Sequence, residues 1–172
     1  MNGHTVAMNV VLTGFMGTGK TTVGQILATR LDLTFVDTDV VIESRHGPIP
    51  EIFANEGEAA FRSMERNIAA EIGADEGLVV ATGGRLMLDQ DARTSLEASG
   101  RVFCLAADVD ELISRLVAAA QERPLLDVDD PAQAIRGLLT ERAAQYAAFE
   151  QVDTSGRSPE AIADDIVTRL AE

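Results

Sequence analysis

Along the chain, short runs of consecutive apolar residues alternate with longer stretches in which apolar positions recur every three or four residues. The short runs lie near residues 9–13, 33–36, 78–82, 101–106 and 150–153. All read as strands, and the runs at 9–13 and 102–106 as buried ones. The longer stretches carry helical stripes: Val23, Ile26, Leu27 and Leu31; Phe61, Met64, Ile68 and Ile72; Leu112, Ile113, Leu116 and Val117; Ile162, Ile166, Val167 and Leu170. This alternation predicts an α/β fold of three α/β/α layers, with a five-stranded parallel sheet between the helices. Local signals set the boundaries. Gly47-Pro48 closes a short helix that follows residue 39, Pro50-Glu-Ile-Phe53 begins another helical piece, and a helix over 58–72 follows Gly57. Asp108-Val-Asp-Glu111 has the form of a capping box, and Ser158-Pro159 supplies an N-cap with proline at the first helical position. With no repeat, linker or low-complexity tract to divide it, the chain is expected to form a single domain over 1–172.

Composition narrows the setting. Of 172 residues, 46% are hydrophobic and 24% charged, which suits a soluble globular protein and argues against disorder. A net charge of −14 disfavours nucleic acid and acidic membranes as partners, because its field repels polyanions, although small anions can bind where arginines gather. The N-terminal residues lack a basic region followed by an apolar core, and no apolar run has membrane-spanning length, so a cytoplasmic location is expected. The only cysteine, Cys104, sits in an apolar run and is expected to act as a small buried hydrophobe. With His4 and His46 the only histidines, there is little material for a transition-metal site.

The candidate chemistry starts at Gly14-Phe-Met-Gly-Thr-Gly-Lys-Thr21, which fits G-x-x-x-x-G-K-[ST] and lies between a strand-like run and a helical stripe. Glycines 14, 17 and 19 let the backbone turn its N–H groups inward, and a helix starting near Lys20 adds the positive end of its dipole. Such a loop binds polyphosphate, with Lys20 reaching the β- and γ-phosphates and the Thr21 hydroxyl ligating Mg²⁺. The second strand ends in Asp37-Thr-Asp39, at the sheet end where open α/β folds bind ligands. One of these carboxylates can hold a water of a Mg²⁺ shell while the other accepts from a substrate hydroxyl; alternatively, Asp39 is simply the cap of the next helix. The paired glycines of Thr82-Gly-Gly-Arg85 suggest close approach of backbone to a ligand. Arg62 shares a helix face with Glu58 and Glu65, and spacing alone favours a solvated ion-pair ladder over an arginine held for anion binding. Gln121-Glu-Arg-Pro-Leu-Leu126, between two helices, has the character of a mobile loop that closes over phosphates. Farther on, Arg142 lies one helical turn before Tyr146.

Gly14 to Thr22, Val36-Asp-Thr-Asp39, Ile52-Phe53, Gly57-Glu-Ala-Ala-Phe-Arg62 with Glu65, Thr82-Gly-Gly84, Arg123-Pro-Leu-Leu126, and Arg142 with Tyr146 resemble, in order and spacing, the shikimate kinase family of P-loop kinases. The resemblance implies a P-loop kinase fold with a helical substrate-binding region near residues 37–72 and a mobile lid near 118–130. It implies transfer of the γ-phosphate of ATP to the 3-hydroxyl of shikimate, with Mg²⁺, by a monomer. The nucleotide would be held by Gly14, Gly17, Thr18, Gly19, Lys20, Thr21 and Thr22, with Arg115 and Pro159 placed like the pair that sandwiches adenine. Lys20 and Arg123 would stabilise the transferring phosphoryl group, and Thr21 with Asp37 would hold the metal. Asp39 would orient the acceptor hydroxyl, Arg62 and Arg142 would clamp its carboxylate, Gly83 and Gly84 would touch it through backbone, and Phe53 and Phe61 would wall the pocket. Glu65 would hold Arg62.

Two positions depart from the family pattern. Ala144 replaces a proline in the late helix, and Arg85 replaces the third glycine after Thr82. If position 85 needed a positive φ, arginine would cost on the order of 1 kcal/mol more than glycine. Its side chain could turn outward to water or point into the crevice, adding charge or shrinking the pocket. The departure leaves room for a kinase of another small hydroxy acid or cyclitol, and a nucleotide-binding regulator without turnover is a further reading.

Overall fold

Burial decides which apolar run takes the centre of the sheet. In the computed structural model, which describes residues 8–119 and 129–172, the first run is buried at every position and forms β1 (Asn9–Gly14). It pairs with β3 (Leu78–Ala81) on one side and β4 (Gly100–Ala106) on the other, while the less apolar β2 (Thr34–Asp37) and β5 (Glu150–Asp153) take the edges. All pairings are parallel, as the alternation predicted, and the order is β2-β3-β1-β4-β5. The helices among the described residues are α1 (Lys20–Leu31), α2 (Thr38–His46), α3 (Ile49–Glu56), α4 (Glu58–Gly73), α5 (Gln90–Glu97), α6 (Val109–Ala118), α7 (Pro131–Tyr146) and α8 (Pro159–Leu170).

Side chains of β1 alternate between two cores, following the strand's period of two. Val10 and Leu12, with Phe103 and Leu105, pack against Val23 and Leu27 of α1 and Ile162 and Ile166 of α8. Val11, with Val80 and Cys104, faces Ile68, Leu96, Leu112 and Ile135 from α4 to α7. Cys104 is buried as expected, and burial pushes its thiol up to about 11, so it stays protonated and inert. From β1 the chain crosses by α1 to the β2 edge, whereas from β3 it crosses by α5 to β4 on the other side of β1. The carboxyl ends of β1 and β3 therefore open at a topological switch point, where α/β sheets bind ligands.

The anticipated capping box at α6 forms only in part. The Asp108 side chain accepts from the Asp110 N–H at 3.0 Å, but the Asp108 N–H is taken by Ser155 Oγ at 2.8 Å. Glu111 turns away to Arg115 and to the Gly156 N–H at 3.1 Å, so a tertiary contact displaces the local one.

Gly14 joins the sheet to the phosphate loop. Its φ is 131°, and a Cβ there would stand 2.3 Å from the Leu105 carbonyl oxygen of β4. A Gly14→Ala change combines a disfavoured backbone conformation with a backbone clash inside the central strand pair. We expect it to destabilise the protein by about 3 kcal/mol or more, read as a loss of several degrees in thermal unfolding. An unchanged midpoint would contradict that account.

Candidate active site

The carboxyl ends of β1 and β3 open into a cleft of about 330 Å³ lined by Met16, Gly17, Gly19, Lys20, Thr21, Thr22, Asp37, Asp39, Thr82, Gly83 and Gly84. Gly14, Gly17 and Gly19 all adopt positive φ, which the glycines permit and which turns the loop into the start of α1. Because α1 begins at Lys20, its unpaired amides and the positive end of its dipole face the cleft. Lys20 Nζ donates to the carbonyls of Gly14 at 2.7 Å and Phe15 at 3.0 Å, which lays the ammonium along the loop. Thr18 is buried and its hydroxyl donates to the Phe15 carbonyl at 2.8 Å, so this side chain braces the loop and leaves its main chain to meet phosphate.

Asp37 performs two tasks at once. Its Oδ1 accepts from the N–H groups of Asp39 and Val40, which caps α2, and its Oδ2 accepts from Thr21 Oγ1 at 3.0 Å. The helix cap is thus Asp37 and not Asp39, contrary to the local reading that Asp39 best fits the cap. The Thr21 hydroxyl and Asp37 carboxylate form a pair of hard oxygen donors beside the phosphate loop, a set that fits Mg²⁺. Arg115 donates to the Gly17 carbonyl at 3.2 Å and pairs with Glu111, which also holds Gly156 in the loop before Pro159. Arg115 is thus tied to the phosphate loop and, through Glu111, to the segment that precedes Pro159. Arg123 and most of the segment read as a lid lie outside the described residues.

Freed of the cap, the Asp39 carboxylate turns toward the third strand end, where Oδ1 stands 2.7 Å from where a Cβ on Gly83 would be and Glu65 Oε1 stands 3.2 Å away. Gly83 lines the cleft, and a side chain there would collide with these two carboxylates. Its N–H donates to buried Thr38 Oγ1 at 2.9 Å and its carbonyl accepts from the Leu86 N–H, so both its polar groups are engaged within the protein. Burial, then the neighbouring Asp37, raises the Asp39 pKa above the ordinary aspartate value; Lys20 and Arg62 oppose the rise and Glu43 adds to it.

Arg62 overturns the reading that spacing favoured. Its Nη1 donates to Glu65 at 2.6 Å, and Glu65 is only 2% exposed, so a half-buried arginine rests on a buried carboxylate and the group is more than a solvated ladder. Burial raises the Glu65 pKa while Arg62 pulls it down; for Arg62 burial works against the charge, and Glu65 with Glu58 outweighs it. On the other wall, α7 places Arg142 at 7% exposure with its guanidinium 5.5 Å from the Phe15 ring centroid and its buried Nε lacking a partner. Arg142 Nη1 lies 3.6 Å from where a Cβ on Gly84 would stand, and the Tyr146 hydroxyl donates to the Gly84 carbonyl. Phe53 and Phe61 stack at 4.9 Å between centroids; Phe61 is largely core, whereas Phe53 is 38% exposed.

Arg85 has φ −113°, an ordinary conformation, so the position does not demand glycine and no backbone strain arises. Its side chain neither runs free into water nor fills the cleft: Nη1 meets Glu58 Oε1 at 3.4 Å. Thr38 and Phe15 join the site without having been foreseen. For Thr38 the only signal was a threonine between two cleft aspartates, and nothing in the local pattern links Phe15 to an arginine 127 positions away.

The arrangement provides a polyphosphate loop, a hydroxyl–carboxylate metal pair and a raised-pKa carboxylate at one cleft, with one buried and one half-buried guanidinium beside them. Chemically it can hold a nucleoside triphosphate beside a small anion that bears a hydroxyl. The shikimate kinase family model matches residues 16–171. The shikimate kinase of Geobacter sulfurreducens is 42% identical over 95% of this chain and 91% of its own length. That of Thermus thermophilus is 41% identical over 94% and 89%. Among solved structures, shikimate kinase from Acinetobacter baumannii in complex with shikimate superposes with a TM-score of 0.88 and 35% identity, over 96% of this chain and 93% of that one.

Proposed function

The chain belongs to the shikimate kinase family, and on that premise we propose that it transfers the γ-phosphate of ATP to the 3-hydroxyl of shikimate. The observation that carries the reading is Arg142: a buried guanidinium with an unpaired Nε, set beside Gly84 of the cleft that the phosphate loop lines, is a receptor for an anionic acceptor. Arg62, fixed by Glu65, supplies a second guanidinium, and a carboxylate held between two arginines presents its ring hydroxyls at a set distance. Asp39 takes the hydroxyl that reacts, orienting it and accepting its proton as the new O–P bond forms. Gly83 and Gly84 bound the acceptor site through backbone, and Phe53 and Phe61 wall it.

On the donor side the main chain of residues 14–22 cradles the phosphates, and the α1 dipole adds positive potential. Lys20 neutralises charge that builds on the transferring phosphoryl oxygens; Arg123 shares that role, and Arg115 with Pro159 flanks the base. Thr21 and Asp37 would hold Mg²⁺, which when bound draws charge from the β- and γ-phosphate oxygens. Since phosphoryl transfer passes through a loose transition state, positioning and charge neutralisation supply most of the rate and Asp39 acts chiefly on orientation. The reading includes a cytoplasmic monomer acting on small molecules, with no nucleic acid or membrane partner. It is supported by the net charge of −14 and by the described residues, of which no helix is long and apolar enough to cross a membrane.

Incubation with Mg·ATP and shikimate tests the proposal. ADP release that requires shikimate is expected, and Arg142→Ala should raise the KM for shikimate about 30-fold or more while barely moving that for ATP. ATP turnover indifferent to shikimate would refute it.

A further inference from the structure

Arg85 has no part in the mechanism above, yet it stands at the acceptor site. It directly follows Gly84, whose carbonyl is held by Tyr146 and whose missing Cβ faces Arg142. From the end of β3 its side chain reaches across to α4, where Nη1 comes 3.4 Å from Glu58 Oε1. That same oxygen accepts from Arg62 Nε at 3.4 Å and from Arg62 Nη2 at 3.2 Å. Guanidiniums from two different elements thus converge on one carboxylate oxygen, and one of them is the arginine fixed by buried Glu65. Arginines gathered in this way form a carboxylate-reading site, and Glu58 fills it with a carboxylate of the protein's own.

The contact to Glu58 is easily exchanged. The Arg85 and Glu58 side chains are 44% and 55% exposed, and a long, solvent-screened pair of this kind contributes little. Arg85 also directly follows Gly84, whose carbonyl accepts from the Tyr146 hydroxyl and which faces Arg142, so its backbone adjoins the Arg142 wall while its side chain reaches the Arg62 wall. Its ordinary φ means that the side chain is presented without backbone strain.

We infer that Arg85 is a third carboxylate-reading guanidinium of the acceptor site, held by Glu58 in the absence of acceptor and passed to the acceptor's carboxylate on binding. This rests on the function proposed above and adds a specificity element to it. Three arginines around one carboxylate tie affinity to a full negative charge, so the site rejects a neutral analogue more strongly than Arg62 and Arg142 alone would.

Steady-state kinetics of wild type, Arg85→Gly and Arg85→Lys with shikimate and with its methyl ester test the inference. Arg85→Gly is expected to raise the KM for shikimate about five- to tenfold, with kcat and the KM for ATP within about twofold of wild type. The KM for the ester should change by less than about twofold, narrowing the acid-over-ester preference, and Arg85→Lys should recover part of the loss. A shikimate KM within about twofold of wild type, an equal rise for the ester, or a fall in kcat alone overturns the role of Arg85. Those outcomes are distinct from failure of the proposed function, in which wild type itself does not phosphorylate shikimate and both readings fall. If Arg85→Gly unfolds more readily than wild type, Arg85→Gln supplies the same comparison with a side chain retained.

Discussion

Lys20→Met is expected to lower kcat about 10²–10³-fold while leaving the fold intact. Lys20 sits in the first turn of α1, with Nζ laid on the carbonyls of Gly14 and Phe15. Methionine keeps the apolar stem and removes the charge, so packing is largely preserved and the lost term is electrostatic. In a loose transition state the phosphoryl oxygens carry the charge that an ammonium at the loop neutralises, and one such preorganised donor is worth several kcal/mol. The measurement is kcat at saturating ATP and shikimate, paired with a thermal melt. A variant within tenfold of wild type, with an unchanged melt, would move the main source of catalysis away from the loop.

Asp39→Asn is expected to cost at least about 10²-fold in kcat/KM for shikimate and at the same time to stabilise the protein. The stability effect follows from the sign of the pKa shift. Burial and Asp37 hold the Asp39 pKa above 3.8, its ordinary value, so the folded state binds this proton more tightly than the unfolded chain does. Stability from this group therefore falls as pH rises between the unfolded and folded pKa values, and the full penalty applies at neutral pH. Asparagine carries no charge to bury and removes the repulsion with Asp37. A gain on the order of 1 kcal/mol at pH 7, or about 2–4 °C in the melting midpoint, is the expected size. The gain should shrink as pH falls through the folded pKa, where wild type becomes protonated. In wild type, the acid limb of kcat/KM should lie above the ordinary aspartate range, since Asp39 must be ionised to take the hydroxyl. A variant that is both inactive and less stable at pH 7 would show instead that the carboxylate is needed for packing. The expected pattern is a stability cost retained at a functional site.

The central strands β1, β3 and β4 were legible because burial on both faces leaves a continuous apolar signal that needs no partner to be identified, a signal weaker in the partly exposed edge strands β2 and β5. The phosphate loop was legible because its glycines, Lys20 and Thr21 act within a few residues of one another, so sequence spacing fixes their geometry. Asp37 shows where local reasoning weakens. Both Asp37 and Asp39 can cap a helix, and the choice fell to Asp37 because its other oxygen also meets Thr21 sixteen positions earlier. Glu111 shows the same limit, since a backbone amide in the β5–α8 loop competes for the carboxylate a capping box would use.

The sequence by itself determined the layered α/β architecture, the phosphate loop with its lysine and hydroxyl, and the set of arginines and carboxylates from which the site is assembled, because these depend on period and short spacing. Tertiary structure alone decided what those charged residues are. The Glu58–Arg62–Glu65 spacing is equally consistent with a surface ladder and a buried clamp, and only packing beneath α4 takes Glu65 out of water and makes Arg62 a fixed receptor. Likewise Gly83 is required by two carboxylates brought from α2 and α4, and Arg85 is tied to Glu58 across the mouth of the site. Desolvation and long-range proximity arise only when distant segments meet, and these set the charge and specificity of the acceptor pocket.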